Sequence, residues 1–469
     1  MPDPSAPRWP LEPESPELRR LIDACARFVV DQIDSLSSQP SWDVEDAGPV
    51  AARFVEPPPE RGSAIEAILE RLRPAVAKSF NTAGPGYLAF IPGGGIPAAA
   101  LADFVACAVN RFVGVAAAAP ALARIEAQVI AWLASLMGCP PGAGGILTTG
   151  GSLSNLTALV AARADKLPED FLKGTIYLSE ETHLSVLKAA RIAGFPERCI
   201  RLVPVDARCR LRPRDLETMI EEDRSNGRRP FLVVANAGTT NTGAIDPLRD
   251  ILDIARRRGL WAHADAAYGG FFRLVPEGES RLCGIEAYDS ITLDPHKGLF
   301  LPYGTGCLLV RDPATLRRAH GGRAGYLQDV SSGEEAPNFT DLSPELSRDF
   351  RGLRLWLPIQ LHGLEAFRMQ IQEKLDLARW AYLDLKDEPF LEMLDEPQLS
   401  IVAFAARPDA SGAELLRRVN ARRRVFLSST TMGGRYVLRL CVLSFRTHAD
   451  RMRDAVGAIK EEARRLARE

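Results

Sequence analysis

Lys297 stands near the end of SITLDPHKG (290–298), where an apolar, alternating run gives way to an acid, a proline, a histidine and an amine. Most lysines after a turn are solvated surface residues; one held in a cleft, beside a charge or away from water, becomes a nucleophile. Four other strand-like runs end in groups that suit such an amine. TTGGSLSN leads two glycines, Ser152, Leu153 and Ser154 into a helical pattern. Small residues there allow close backbone approach, and free N–H groups at a helix start attract phosphate. A serine-capped helix is the ordinary alternative, and the stretch has neither a Walker GK[ST] nor a full GxGxxG. SEETHLSV places His183 at a helix start, and NAGTTNTGAID offers the hydroxyls of Thr239 and Thr240. HADAAYGG leaves Asp265 directly after an apolar run, where a buried acid needs a cationic partner unless it caps a helix.

Asp265 and Lys297 are 32 residues apart, about one strand–crossover–strand unit. An anion cradle, an imidazole, an acid and an amine on one sheet edge suit pyridoxal 5′-phosphate. Its aldehyde condenses with lysine, its phosphate takes N–H and hydroxyl donors, and its pyridine nitrogen stays protonated beside an acid. A carboxylate in close contact with that nitrogen contributes roughly 4 kcal/mol at an effective dielectric of ~20.

The elements that must position these groups are legible as texture. Seven short apolar runs, GGILTTG, GTIYLS, CIRLVPVD, PFLVVANAG, LWAHAD, SITLD and GTGCLLVRD, alternate with helical patterns. That alternation predicts a largely parallel sheet covered on both faces, with ligands at the carboxyl ends of its strands. Residues 1–100 read as an N-terminal helical and extended segment, with an amphipathic helix over 18–36; 101–340 as a large α/β domain; 341–469 as a smaller α+β domain. Residues 326–350 have the polar composition of a loop that closes over a site.

Composition narrows the partners. The 469 residues are 46% apolar and 25% charged with net charge −2, which disfavours nucleic acid and anionic membranes as partners. No apolar run reaches membrane-spanning length, and MPDPSAPRWP has no secretory apolar core. Eight cysteines without CxxC spacing predict neither zinc nor a disulfide framework, and no metal site; a cytoplasmic, reduced protein is the expectation.

With GGSLSN, THLSV, AGTTNTGAID, HADAAYGG and DPHKG in this order and spacing, the chain resembles the group II pyridoxal-phosphate-dependent amino-acid decarboxylases, which include the aromatic amino-acid, histidine and glutamate decarboxylases. The likeness runs from the N-terminal helix to YVLRLCVLSFRT. It implies the type I fold of these enzymes, the aspartate-aminotransferase-like architecture, and a homodimer clasped by the N-terminal segment with the site at the subunit interface. By resemblance Lys297 would form the internal aldimine with the cofactor, with His296 beside it. Asp265 would pair with the pyridine nitrogen, Ala267 would pack on one ring face and His183 on the other. Ser152, Leu153 and Ser154 would bind the phosphate, Thr240 would hydrogen-bond near the cofactor, and Asp246 would support its turn. Tyr326 would protonate the carbanionic carbon, favouring amine over aldehyde. Arg439, Phe90, Ile91 and Gly93 would meet the substrate.

Three departures stand out. Many relatives have asparagine where this chain has Asp294, at the phosphate region, and aromatic members have tryptophan where it has Gly298. The family's hydroxyl or aromatic positions fall on Ile91 and Gly93, and VAAAAP is unusually small; with Gly298 these changes predict a widened pocket. The expected reaction is decarboxylation of an L-amino acid to amine and CO2, with aldehyde formation or elimination on the same cofactor as the alternative. Having both Lys297 and Tyr326 disfavours a cofactor-binding protein without turnover. The amino acid itself stays open: aromatic, acidic and small polar side chains all fit the sequence.

Overall fold

The computed structural model describes residues 11–322, 337–408 and 411–469. The strands, in chain order, are β1 (Tyr87–Leu88), β2 (Gly144–Thr148), β3 (Gly174–Ser179), β4 (Ile200–Val203), β5 (Arg229–Asn236), β6 (Trp261–Asp265), β7 (Ser290–Leu293) and β8 (Gly306–Val310), followed by β9 (Leu391–Met393), β10 (Ile401–Ala406), β11 (Phe426–Met432) and β12 (Arg435–Cys441). The seven apolar runs form one sheet of order β2-β8-β7-β6-β5-β3-β4. Strands β4, β3, β5, β6 and β7 are parallel. Strand β8 runs against both β7 and β2, so β2 points the same way as β7. Every residue of β3, β6, β7 and β8 is buried, the mark of a sheet covered on both faces.

This topology decides where chemistry can gather. The carboxyl ends of β2, β3, β5, β6 and β7 share one edge, and each is followed by one of the candidate motifs.

A second sheet, β1-β11-β12-β10-β9, is antiparallel except where β1 lies parallel to β11. The helix Gly352–Leu385, broken at Gly363 (φ 70°, ψ 160°), joins the two cores. Its Leu355, Phe367 and Ile371 pack into the first, and its Leu377, Ala378, Ala381 and Leu385 into the second with the helix Ala449–Leu466. Near the N-terminus, Ser15–Ser35 buries only Ala24 and leaves Leu18, Ile22, Val29 and Val30 exposed. All eight cysteines are free thiols. Among the described residues no helix is long and apolar enough to cross a membrane, and no cluster suits a metal ion.

Candidate active site

Beyond β7 the chain makes a single short helix, Pro295–Gly298, that turns Lys297 back toward Asp294; Nζ lies 3.0 Å from Oδ2. Asp294 is buried, and its Oδ1 has no hydrogen-bond donor among the described residues. His296 donates from Nδ1 to the Thr305 carbonyl at 2.6 Å, which leaves Nε2 of the neutral ring as an acceptor, 3.7 Å from Asp294 Oδ2. Burial is the main force holding the His296 imidazole below its ordinary value.

Asp265 ends β6. Its Oδ2 accepts from Asn155 Nδ2 at 3.0 Å and its Oδ1 from the Ala267 N–H at 3.2 Å. Among the described residues only these neutral donors hold the acid, which leaves it open to a cationic group in the cavity. His183 caps the helix Leu184–Ile192, its Nδ1 accepting from the Ser185 N–H at 3.3 Å. Burial lowers its proton affinity, with Asp265 opposing.

The cradle forms where β2 meets the helix Gly151–Lys166. Gly150, at φ 150°, adopts a conformation that favours glycine, and a Cβ on Gly151 would lie 3.0 Å from Asp294 Oδ2 and 3.3 Å from the Ala267 Cβ. The N–H groups of Leu153 and Ser154 both bond to the Gly150 carbonyl, at 3.0 and 3.1 Å. Those of Gly151 and Ser152, ahead of them, have no helical carbonyl behind them. Thr240 faces the same space from the turn after β5. Asp246 braces that turn's base: it accepts from the N–H groups of Asn236 and Leu211, both at 2.7 Å, and burial pushes its carboxyl up to about 6.

Ser152, Leu153, His183, Thr240, Asp265, Ala267, Asp294, His296 and Lys297 thus line one cavity of about 440 Å³. A larger cleft of about 860 Å³ runs along Arg208, Arg210 and Arg281. It holds no comparable set, since those arginines pair with Asp395, Asp206 and Glu277.

Several expected residues sit elsewhere. The Ser154 hydroxyl faces inward to Thr148 Oγ1 at 2.8 Å, so the anion site is narrower than the motif implied. Arg439 is buried as a clamp on the turn after β5: Nε donates to the Asn241 carbonyl at 2.9 Å, Nη1 reaches Ser428 Oγ at 3.3 Å, and Nη2 donates to the Thr240 carbonyl. Three of its five N–H donors are engaged in this way, and its side chain is not among those lining the cavity.

Phe90, Ile91 and Gly93 do not line the cavity either. Phe90 is exposed, and Ile91 packs on the large core. A Cβ on Gly93 would fall 2.0 Å from the His296 carbonyl oxygen, so this glycine lets the backbone support the lysine turn. Gly298 does not widen the pocket, because the space its Cβ would take is filled by Phe271, 2.6 Å away. Tyr326 lies outside the described residues.

An amine and an acid at neighbouring strand ends, facing one cavity with an anion cradle beside them, meet the needs of a fold type I pyridoxal-phosphate enzyme. The unpaired charge of Asp265 and the close-packed glycines of the cradle fit that cofactor. Likeness to known proteins narrows the class. Residues 52–407 match the Pyridoxal-dependent decarboxylase conserved domain, and the chain belongs to that family. It is 34% identical to an aromatic-L-amino-acid decarboxylase of Bacillus atrophaeus, over 97% of this chain and 98% of that one. A phenylacetaldehyde synthase of Petunia hybrida is 28% identical, over 92% of this chain and 91% of that one. The crystal structure of Oryza sativa TDC with PLP and tryptamine superposes with a TM-score of 0.93 at 28% identity, covering 97% of this chain and 99% of that one. Pyridoxal phosphate is the cofactor, and amino-acid decarboxylation is the class of reaction.

Asp294 bears on the charge of this site, since a buried carboxylate borders the helix start expected to take the phosphate. Asp294→Asn removes that repulsion and also frees the Lys297 amine from its ion pair. The apoenzyme variant is expected to bind pyridoxal phosphate on the order of tenfold more tightly in a fluorescence titration. Equal or weaker binding would show that Lys297 already cancels the acid's field.

Proposed function

We propose that the protein converts an L-amino acid to its amine and CO2, with aromatic amino acids as the substrate class that the name of the Bacillus relative points to. The observation that carries this reading is the convergence of Lys297, Asp265 and His183 on one cavity beside the cradle. Bound pyridoxal phosphate supplies an aldehyde for the lysine and a protonated ring that draws in the electron pair left by departing CO2.

The chain's own groups do the rest. Gly151 and Ser152 orient the phosphate with the free N–H groups of the helix start, and Leu153 lines the cavity beside them. Lys297 binds the cofactor covalently and moves protons at Nζ, with His296 Nε2 as a nearby acceptor. Asp265 keeps a proton on the ring nitrogen, and His183 packs on the ring with Nε2–H as its donor. Tyr326 returns a proton to the substrate Cα.

A panel of aromatic, acidic and small amino acids, assayed together for CO2, amine and aldehyde, tests the reading. Amine equal to CO2 supports it; aldehyde with ammonia and peroxide places the protein with activities of the kind named for the Petunia relative. In Tyr326→Phe, amine formation is expected to fall roughly 100-fold, the usual loss when a general acid is removed, with aldehyde appearing in its place. An undiminished amine yield would take the proton-return role away from Tyr326.

The proposal includes a homodimer in the cytoplasm. The helix Pro97–Val109 exposes Leu101, Phe104, Val105 and Val109, an apolar surface that a second copy would cover. Light scattering should return twice the chain mass; a monomer would reject this arrangement.

A further inference from the structure

Asn155 plays no part in the mechanism above, yet it touches Asp265, Ser185, His263 and Thr292. It is buried on the helix Gly151–Lys166, and its amide is fully engaged. Nδ2 donates to Asp265 Oδ2 and to Ser185 Oγ, each at 3.0 Å. Oδ1 accepts from Thr292 Oγ1 at 2.7 Å and faces His263 Nε2 at 3.1 Å. A carboxylate can only accept, so the NH2 must face Asp265 and the oxygen must face Thr292 and His263.

That one constraint orders hydrogens in two directions. Toward the sheet, His263 donates from Nε2, its Nδ1 accepts the Ser290 hydroxyl at 2.7 Å, and Ser290 Oγ accepts from Trp261 Nε1 at 2.8 Å. Burial lowers the His263 imidazole to about 4, which keeps it a neutral ring with one donor and one acceptor. Toward the cavity, Ser185 Oγ takes a hydrogen from Asn155 and gives its own to His183 Nδ1 at 2.8 Å. The Ser185 backbone N–H meets the same nitrogen. His183 Nδ1 is therefore an acceptor, and the neutral ring carries its proton on Nε2.

We propose that Asn155 is the positioning residue of this site, a single amide that orients the Asp265 carboxylate and, through Ser185, sets the tautomer of His183. The inference rests on the roles assigned to those two residues, but its first test needs neither cofactor nor turnover.

In apoprotein labelled with 15N-histidine, six ring systems are present, and His183 is assigned by its loss in His183→Gln. The wild type is expected to show Nε2–H at His183, and Asn155→Ala and Ser185→Ala to populate the Nδ1–H form. In the holoenzyme, Asn155→Ala is expected to lower kcat roughly 100-fold with KM within about threefold, the loss typical of a misplaced reacting group. The visible absorbance of the cofactor should also titrate at a shifted pH. Nδ1–H at His183 in the wild type overturns the proposal, as do variants that keep the wild-type tautomer. Should Asn155→Ala fail to fold by circular dichroism, Ser185→Ala decides the His183 arm. Should no substrate release CO2 while the tautomer responds as expected, the decarboxylase reading fails and the positioning role stands.

Discussion

Lys297→Ala is expected to lose at least roughly 10⁴-fold in kcat, because an amine held against its aldehyde acts at an effective concentration of 10⁵ M or more. Pro295–Gly298 is a single turn, so no neighbouring amine replaces the one removed. Borohydride reduction of the wild-type holoenzyme should leave a covalent label on the peptide bearing Lys297, and none in the variant. A small added amine should restore part of the rate. The substitution also strips the buried Asp294 of its cation, so the melting temperature should fall, in keeping with a loss of about 1–3 kcal/mol. Full turnover in the alanine variant, or a label on another lysine, would end the assignment.

Asp265→Asn keeps the shape of the side chain and removes its charge. At an effective dielectric of ~20 and close contact, that charge supplies about 4 kcal/mol to a protonated ring nitrogen. The expected fall in kcat is therefore on the order of 10³-fold. Part of the loss has a second origin: Asp265 accepts two N–H donors, from Asn155 and Ala267, and an asparagine must turn its own NH2 toward one of them. Cofactor affinity should weaken while the melting temperature moves little. A kcat within tenfold of wild type, with cofactor bound, would show that another group keeps the ring protonated.

Asp265 and Lys297 were legible because each ends a short apolar run, and an acid or amine in that place is unusual enough to read. All seven runs became strands of one sheet for the same local reason. What spacing along the chain cannot tell is which way a side chain turns. Arg439 and Phe90 lay in suggestive motifs, yet one clamps a turn and the other faces solvent. Gly298 read as missing bulk, whereas Phe271, 27 residues earlier, already fills that space. Asn155 was printed in GGSLSN but gave no signal, since its partners lie at 185, 263, 265 and 292 and meet it only when the sheet is assembled. The reversal of β8 was also silent, because a buried strand has the same apolar run in either direction.

The pairing of β1 with β11 bears on the order in which the molecule can be completed. Leu88 belongs to the second core, but its strand partner Leu427 leaves the ribosome more than three hundred residues later. At ordinary rates of synthesis that is a delay of roughly 20–70 s. During it, an early-made segment waits without its edge of sheet while most of the larger core, which lies between the two in sequence from Ala99 to Ile401, can already form. A nascent chain stalled before β11 should therefore resist protease across the middle of the sequence and be cut near its beginning.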